Sequence, residues 1–370
     1  MPDPRDAETV DASTDPSRIE RQYPCAHCGA KLMFVPGTSV LKCPYCAFEN
    51  QIQRDDVSAA ELDYTGALAS LERGAPVQEA LLVKCGACAA DVTPPPNVTA
   101  FSCPYCGTSI VATAHSVKLI KPNAVLPFAI RQAQSRDLFR QWITSRWFAP
   151  NTLRSRSGID ESIVGVYIPA WTFDTKTVTA YTGQRGDAYY VTVGSGKNRT
   201  TQRRIRWSHA SGVVRNAFDD VLVLATRSLP DRLVKRLEPW DLKKAEPYSD
   251  DYLAGFRAES YQVDLAQGFE TAKQIMSITI RATICRDIGG DEQRIDSMKV
   301  QYNDITFKHV LLPVWISAYR YRDKVYRFIV NARTGEVQGD RPYSAWKIAL
   351  LVISILFVIA VIIVIAKARG

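Results

Sequence analysis

Histidine and methionine are scarce in this chain of 370 residues, four of each, and no HExxH, GxSxG or complete Walker A motif stands anywhere in it. The signatures of zinc hydrolases, α/β-hydrolases and P-loop NTPases are therefore missing. Gly194-Ser195-Gly196-Lys197 comes nearest to a phosphate loop, but Val191 occupies the position of its first glycine and Asn198 that of the Ser or Thr that binds magnesium. His115, His209 and His309 are widely separated, and Ser208-His209, being neighbours in sequence, do not form a dyad. The acidic pairs Asp219-Asp220, Asp250-Asp251 and Asp291-Glu292 read as turn carboxylates. Nothing here calls for catalysis, so the chain reads as a non-enzyme. Met1 to Arg21 lacks the apolar run of a secretory signal, which places the N-terminal part in the cytoplasm. Apart from Cys285, cysteine occurs only in CxxC pairs, a pattern foreign to secreted disulfide frameworks.

Those pairs are the strongest signal present. Cys25-x2-Cys28 is followed after 14 residues by Cys43-x2-Cys46, and Cys85-x2-Cys88 after the same 14 by Cys103-x2-Cys106. Each second half reads Cys-Pro-Tyr-Cys. A CxxC turn places two sulfurs on one side with backbone amides free to hydrogen-bond them, and two such knuckles close a tetrahedral thiolate site for zinc. Four thiolates leave no open coordination position, so two structural zinc ions are expected. A redox CxxC normally occurs once, in a βαβ setting that is lacking here. His27, inside the first knuckle, is superfluous as a ligand beside four thiolates and is expected at the surface. Cys285 reads as a small hydrophobe in a helix.

The organisation that follows is multidomain. Residues 1–22 form a disordered acidic tail, 23–50 a first zinc ribbon, 51–80 a helical spacer closed by Gly74 and Pro76, and 81–113 a second ribbon. Residues 121–342 form an α+β region. It opens with an amphipathic helix over 129–148 carrying Leu138, Phe139, Trp142, Ile143 and Trp147. Short strands are predicted at Ile163–Phe173, Val178–Tyr181, Tyr189–Val193, Ile205–Trp207 and Val221–Ala225, broken by Gly and Asp. A helix follows Pro230, and a longer one runs from Leu265 to Ile288, ended by Gly289-Gly290. Val310–Arg320 and Val325–Val330 read as a hairpin joined through Asp323. Tyr167-Ile168-Pro169-Ala170-Trp171 and Leu311-Leu312-Pro313-Val314-Trp315 echo each other; proline in each predicts the start of an edge strand, pinned by a buried Trp.

Charge is unevenly placed. Residues 1–113 carry 8 Lys and Arg against 14 Asp and Glu, a net −6, whereas the remainder carries +14. Because Lys and Arg neutralising phosphates supply most nucleic-acid affinity, acidic ribbons disfavour DNA or RNA as partners. Nucleic-acid binding by ribbons is nonetheless the alternative function. The densest basic run, Arg199, Arg203, Arg204 and Arg206, reads as a hairpin face open to lipid headgroups or an acidic partner.

Ile348 to Ala366 is a run of 19 uncharged, mostly aliphatic residues, with Lys347 before it and Lys367 and Arg369 after it. At about 1.5 Å per residue it is about 28 Å long, close to the hydrocarbon core of a bilayer. A membrane-spanning helix over 347–366 is expected, with Tyr343 and Trp346 in the interfacial belt. The preceding domains would then lie on the cytoplasmic face of the inner membrane, held by a single pass.

With its paired ribbons, Ile168-Pro169-Ala170-Trp171, Asp287-Ile288-Gly289-Gly290-Asp291, Leu311-Leu312-Pro313-Val314-Trp315, and Asn331 to Gly339 leading into Arg341-Pro342-Tyr343-Ser344, the chain resembles a bacterial family of TFIIB-type zinc-ribbon membrane proteins. The likeness covers nearly everything after residue 20. Members are often labelled primosomal protein N-prime or superfamily II helicase, but this sequence has no helicase core. In some bacteria such proteins are similar to ones associated with phage-shock-type, ESCRT-related envelope proteins. The resemblance implies a membrane scaffold or adaptor that binds protein partners at the inner membrane face.

Overall fold

The computed structural model describes residues 25–52, 59–72, 78–85, 90–92, 100–103, 105, 108–111, 115–150, 163–194, 199–321 and 324–369. The expected tail, Cys88, Cys106, Gly74, Pro76, the Ser195–Asn198 turn and Asp323 lie outside them.

The apolar runs around the two prolines build the centre. Strands β1 (Met33–Phe34), β2 (Val40–Lys42) and β3 (Glu49–Gln51) form a small antiparallel sheet of their own. Four short strands precede the main body: β4 (Leu62–Asp63), β5 (Gln78–Lys84), β6 (Asp91–Val92) and β7 (Ala100–Ser102). They are followed by β8 (Ser109–Val111), β9 (His115–Leu119) and β10 (Ala124–Val125). Then come the long strands β11 (Val164–Val193) and β12 (Thr200–Leu224), the short β13 (Glu246–Pro247) and β14 (Arg257–Ala258), the long β15 (Glu292–Tyr321), and β16 (Lys324–Asn331) and β17 (Val337–Gly339). Among the described residues the helices are α1 (Tyr64–Glu72), α2 (Gln132–Ser145), α3 (Leu265–Ile288) and α4 (Ala345–Arg369), with short helical turns at Asp231–Val234, Lys235–Leu237, Leu242–Lys244 and Asp250–Leu253. A sheet of nine strands runs β12-β11-β15-β10-β13, with β4 and β16 also on β15, β14 on β11 and β17 on β16. Its spine is the antiparallel β11–β15 ladder, from Val164↔Ile316 to Gly186↔Glu292.

The segments predicted as separate short strands are therefore continuous. Gly183 and Gly186, read as breakers, lie inside β11 because their neighbours leave no room for a side chain. A Cβ on Gly183 would stand 2.3 Å from the Arg294 carbonyl oxygen, and one on Gly186 would stand 2.7 Å from Ile205. The prolines are a second correction. Pro169 and Pro313 are mid-strand, paired with Leu311 and Tyr167. Each is tolerated because the ladder on its other side stops beside it, at Ala170↔Leu224 for β12 and at Val314↔Asn331 for β16. Their carbonyls still accept, from the N–H groups of Ala225 (3.0 Å) and Ala332 (3.0 Å), so a missing proline N–H leaves no partner strand unsatisfied.

Alternate residues of the spine feed different cores, as a strand with both faces covered requires. Val166, Ile168, Ala170, Val310, Leu312, Val314 and Ile316 face Leu229, Leu233, Leu237 and Trp240. On the other face Tyr167, Leu311 and Trp315 meet α2 through Phe139 and Ile143, and Trp171 and Phe173 meet α3. α3 buries Leu265, Phe269, Ala272, Met276, Ile280, Ile284 and Ile288, a three-to-four-residue rhythm, and Gly289 at φ 65° ends it. Both echo tryptophans are buried: Trp171 Nε1 donates to the Val263 carbonyl (2.9 Å) and Trp315 Nε1 to that of Ile130 (2.8 Å). They pack the core, as the sequence suggested. Cys285 is half-buried on α3.

Because the Arg294 carbonyl belongs to the backbone and cannot rotate away, Gly183→Ala should destabilise the protein by about 1–3 kcal/mol through overpacking. A lowered thermal midpoint, measured by circular dichroism, checks this; an unchanged midpoint would show that the β11–β15 ladder yields at the bulge between Thr182 and Gly183.

Candidate metal centre

Four backbone hydrogen bonds of one kind define the cysteine knuckles. Cys25 N–H donates to Ala30 O (2.7 Å), Cys43 to Phe48 (2.9 Å), Cys85 to Ala90 (2.8 Å) and Cys103 to Thr108 (2.8 Å). The first cysteine of each CxxC thus closes on the residue five positions later in a tight turn. Gly29 at φ 73° supplies the left-handed residue that this turn needs after Cys28.

In the first pair of knuckles the Sγ atoms of Cys25, Cys28, Cys43 and Cys46 all lie within 4.8 Å of one another. Cys25–Cys46 and Cys28–Cys43 are each 3.5 Å apart, too far for disulfides, whose S–S bond is about 2.05 Å. Sulfurs around one zinc at about 2.3 Å would sit roughly 3.8 Å apart, so the cage fits a four-thiolate ion. His27 N–H donates to Cys25 Sγ (3.4 Å), the kind of amide–sulfur bond that supports a metal thiolate. The His27 ring points away and stacks on Phe48 with centroids 6.2 Å apart, in keeping with its expected place at the surface.

Electrostatics also favours a cation. The Cys46 and Tyr45 N–H groups hold the Cys43 thiol down to about 6. At Cys46 the Phe48 N–H also favours the thiolate, but desolvation and the sulfurs of Cys28, Cys25 and Cys43 outweigh it and push the thiol up to about 12. The sulfurs cannot all ionise side by side without a positive charge among them; a divalent ion removes that barrier and releases the remaining protons.

The second pair of knuckles is described in part. Cys85 and Cys103 are buried, and Cys88 and Cys106 lie outside the described residues. Its surroundings differ from those of the first. Both sets pack on the spine, but on opposite faces: Cys25, Leu32, Phe34, Leu41 and Cys43 join the core of Tyr167 and Trp315, whereas Val83, Cys85, Val92, Cys103 and Tyr105 join that of Ile168 and Leu312. Phe34 meets Tyr252 edge-on at 5.3 Å, and its N–H donates to Ala254 O. The described residues of each cysteine segment share a core with the sheet.

The two Cys-Pro-Tyr-Cys tyrosines show the consequence. Tyr45 is 84% exposed, whereas Tyr105 is 1% exposed. The Tyr105 hydroxyl donates to Glu259 Oε2 (2.8 Å), 154 residues away. Glu259 is itself buried and also accepts from the hydroxyls of Thr226 (2.8 Å) and Ser228. No sequence signal marked Glu259, because its partners converge only through the sheet.

The other singled-out groups are dispersed. His309 is fully enclosed, with Nδ1 3.0 Å from Ile120 O, and burial pushes it down to about 4, so it stays neutral. His209 is exposed. Asp220 pairs with Lys308 (2.9 Å), Glu292 with Arg203 (2.7 Å), and Asp291 accepts from the Ala188 N–H. Glu61, Asp174 and Asp219 approach one another, and burial, then Glu61, raise Asp174 to about 7. Lys308 reaches Glu61 at 3.3 Å and accounts for the cluster as an ion network.

No family model and no solved structure matches this chain. Among curated proteins it is similar to YdjG of Bacillus subtilis (strain 168), described as uncharacterized, at 28% identity over 244 residues, 66% of this chain and 70% of that protein.

Two outcomes follow. Reduced, purified protein should contain zinc, and Cys43→Ser should remove one ion; equal zinc in both would end the assignment of this cage. Tyr105→Phe should cost about 2 kcal/mol by leaving a buried carboxylate short of a donor, whereas Tyr45→Phe should be neutral, as parallel urea titrations would show.

Proposed function

We propose that this protein is a membrane-anchored zinc adaptor, a binding protein whose cysteine knuckles present a surface to protein partners at the cytoplasmic face of the inner membrane. The observation that carries this reading is the unequal use of one motif. Tyr105 is spent inward on Glu259, while Tyr45 stands 84% exposed near the His27–Phe48 stack, with Phe48 40% and Met33 47% exposed. A rigid, metal-braced aromatic patch is the composition of an interface anchor. Two zinc ions per chain fit the four knuckle closures of one kind. The resemblance to zinc-ribbon membrane proteins points to partners of the phage-shock, ESCRT-related kind.

The anchor is α4. Within Ala345–Ala366 the most apolar 18 residues have mean hydropathy 3.6, and none of them is buried against the protein. Water exposure of such a helix would be prohibitive, and a bilayer removes that cost. The basic segment Arg199–Arg206 lies at the hairpin end of β11–β12, where Val193 pairs with Thr200. The start of β11 is tied to α2 through Gln132 Nε2 and Ile163 O (2.8 Å). The full length of β11 therefore separates that segment from the α2 end, which favours an acidic protein segment over the anchoring bilayer as its partner.

A photo-crosslinking residue at position 45, in native membranes, tests the reading. A protein adduct that disappears on Cys43→Ser is expected; an adduct lost to nuclease would promote nucleic-acid binding instead. Truncation after Lys347 should move the protein, with its zinc, to the soluble fraction. Retention on membranes through a high-salt wash would refute α4 as the anchor.

A further inference from the structure

The base of α4 is not a free linker. Lys347 Nζ donates to two carbonyls of the loop after α2, those of Trp147 (2.9 Å) and Ala149 (2.9 Å). The Ser344 N–H donates to Phe148 O between them (2.8 Å). Ala149 is fully buried, so this loop is fastened to the core as well as to the helix. Its neighbour Trp147 nonetheless stands 51% exposed, beside Tyr343 at 61% and Trp346 at 74%. Phe148 meets the Trp147 ring edge-on at 5.0 Å. Two arginines accompany these rings: Arg341 lies over Tyr343 (5.5 Å), and Arg146 over Trp142 (5.2 Å).

In water this is a poor arrangement, because large rings are left half-covered on the protein surface. At the boundary between headgroups and acyl chains it is a favourable one. Indole and phenol rings have an apolar body and a polar tip, and guanidinium groups reach lipid phosphates from the same level. Lys347 would ordinarily extend toward headgroups at the end of such a helix. Here its ammonium is turned back to clamp the loop, so that Trp147, distant in sequence, is held at the level of Trp346.

We propose that the loop of residues 146–149 is a second membrane-contact element, with Trp147 seated in the headgroup layer beside Tyr343 and Trp346. The occupant of this surface is the lipid bilayer itself. The contact fixes the orientation of the sheet against the membrane, which a single helix on a flexible linker could not do. This inference rests on α4 crossing the bilayer, and its test separates the two.

Full-length protein reconstituted into phosphatidylcholine–phosphatidylglycerol vesicles is titrated with a lipid carrying a nitroxide at a shallow acyl position, and tryptophan emission is followed. The wild-type protein should show a quenchable component; Trp346→Phe and Trp147→Phe should each remove a comparable part of it. Lys347→Met should lose the Trp147 part while keeping the Trp346 part, an effect that misfolding would not produce. If Trp346→Phe reduces quenching and Trp147→Phe does not, the loop contact is refuted and the anchor stands. If neither substitution changes the quenching, both are refuted.

Discussion

Everything in this protein hangs on the β11–β15 ladder. Two 30-residue strands paired from Val164↔Ile316 to Gly186↔Glu292 provide a surface that no cluster of short strands could. Near Val164–Phe173 both faces of it are buried, so that side chains alternate between two cores across one backbone. The cysteine segments, α2 and α3 are each too small or too narrow to bury their apolar side chains alone. The ladder supplies the other half of every one of those cores.

The first thiolate cage and the sheet are therefore packed as one. An ion in a free-standing ribbon would stabilise only that ribbon; here Cys25 and Cys43 share a core with Tyr167 and Trp315, so an ion held by the proposed cage would brace the cover of the spine as well. The coupling is tighter on the opposite face. There the Tyr105 hydroxyl donates to the buried Glu259, a carboxylate that costs several kcal/mol to desolvate unless donors surround it. The motif, repeated on two faces of one sheet, has its tyrosine buried in one copy and exposed in the other.

A similar economy operates at the membrane end. The helix α4 could be attached by any flexible segment if its work were only to hold the protein near lipid. The lysine clamp and the buried Ala149 instead make the first turn of α4 continuous with the folded body. The proposed adaptor role would need an interaction surface at a defined height and angle, and a stiff joint gives that definition more directly than affinity does.

Much of this was legible from the residues alone. CxxC spacing and the 14-residue interval identify the thiolate cage because metal geometry demands that chemistry and little else does. The α3 boundaries follow from a helical apolar rhythm stopped by Gly289, and α4 from uninterrupted aliphatic composition. These are local rules, read within one element. Strand continuity through Gly183 and Gly186, and the mid-strand place of Pro169 and Pro313, were not legible, because each depends on what stands opposite in the sheet. The same holds for the separate fates of Tyr45 and Tyr105, which share an identical local sequence, and for the meeting of Trp147 with Lys347. Short-range pattern determined which chemistry each segment carries; only the tertiary pairing of residues more than a hundred positions apart decided which way each side chain faces and what it touches.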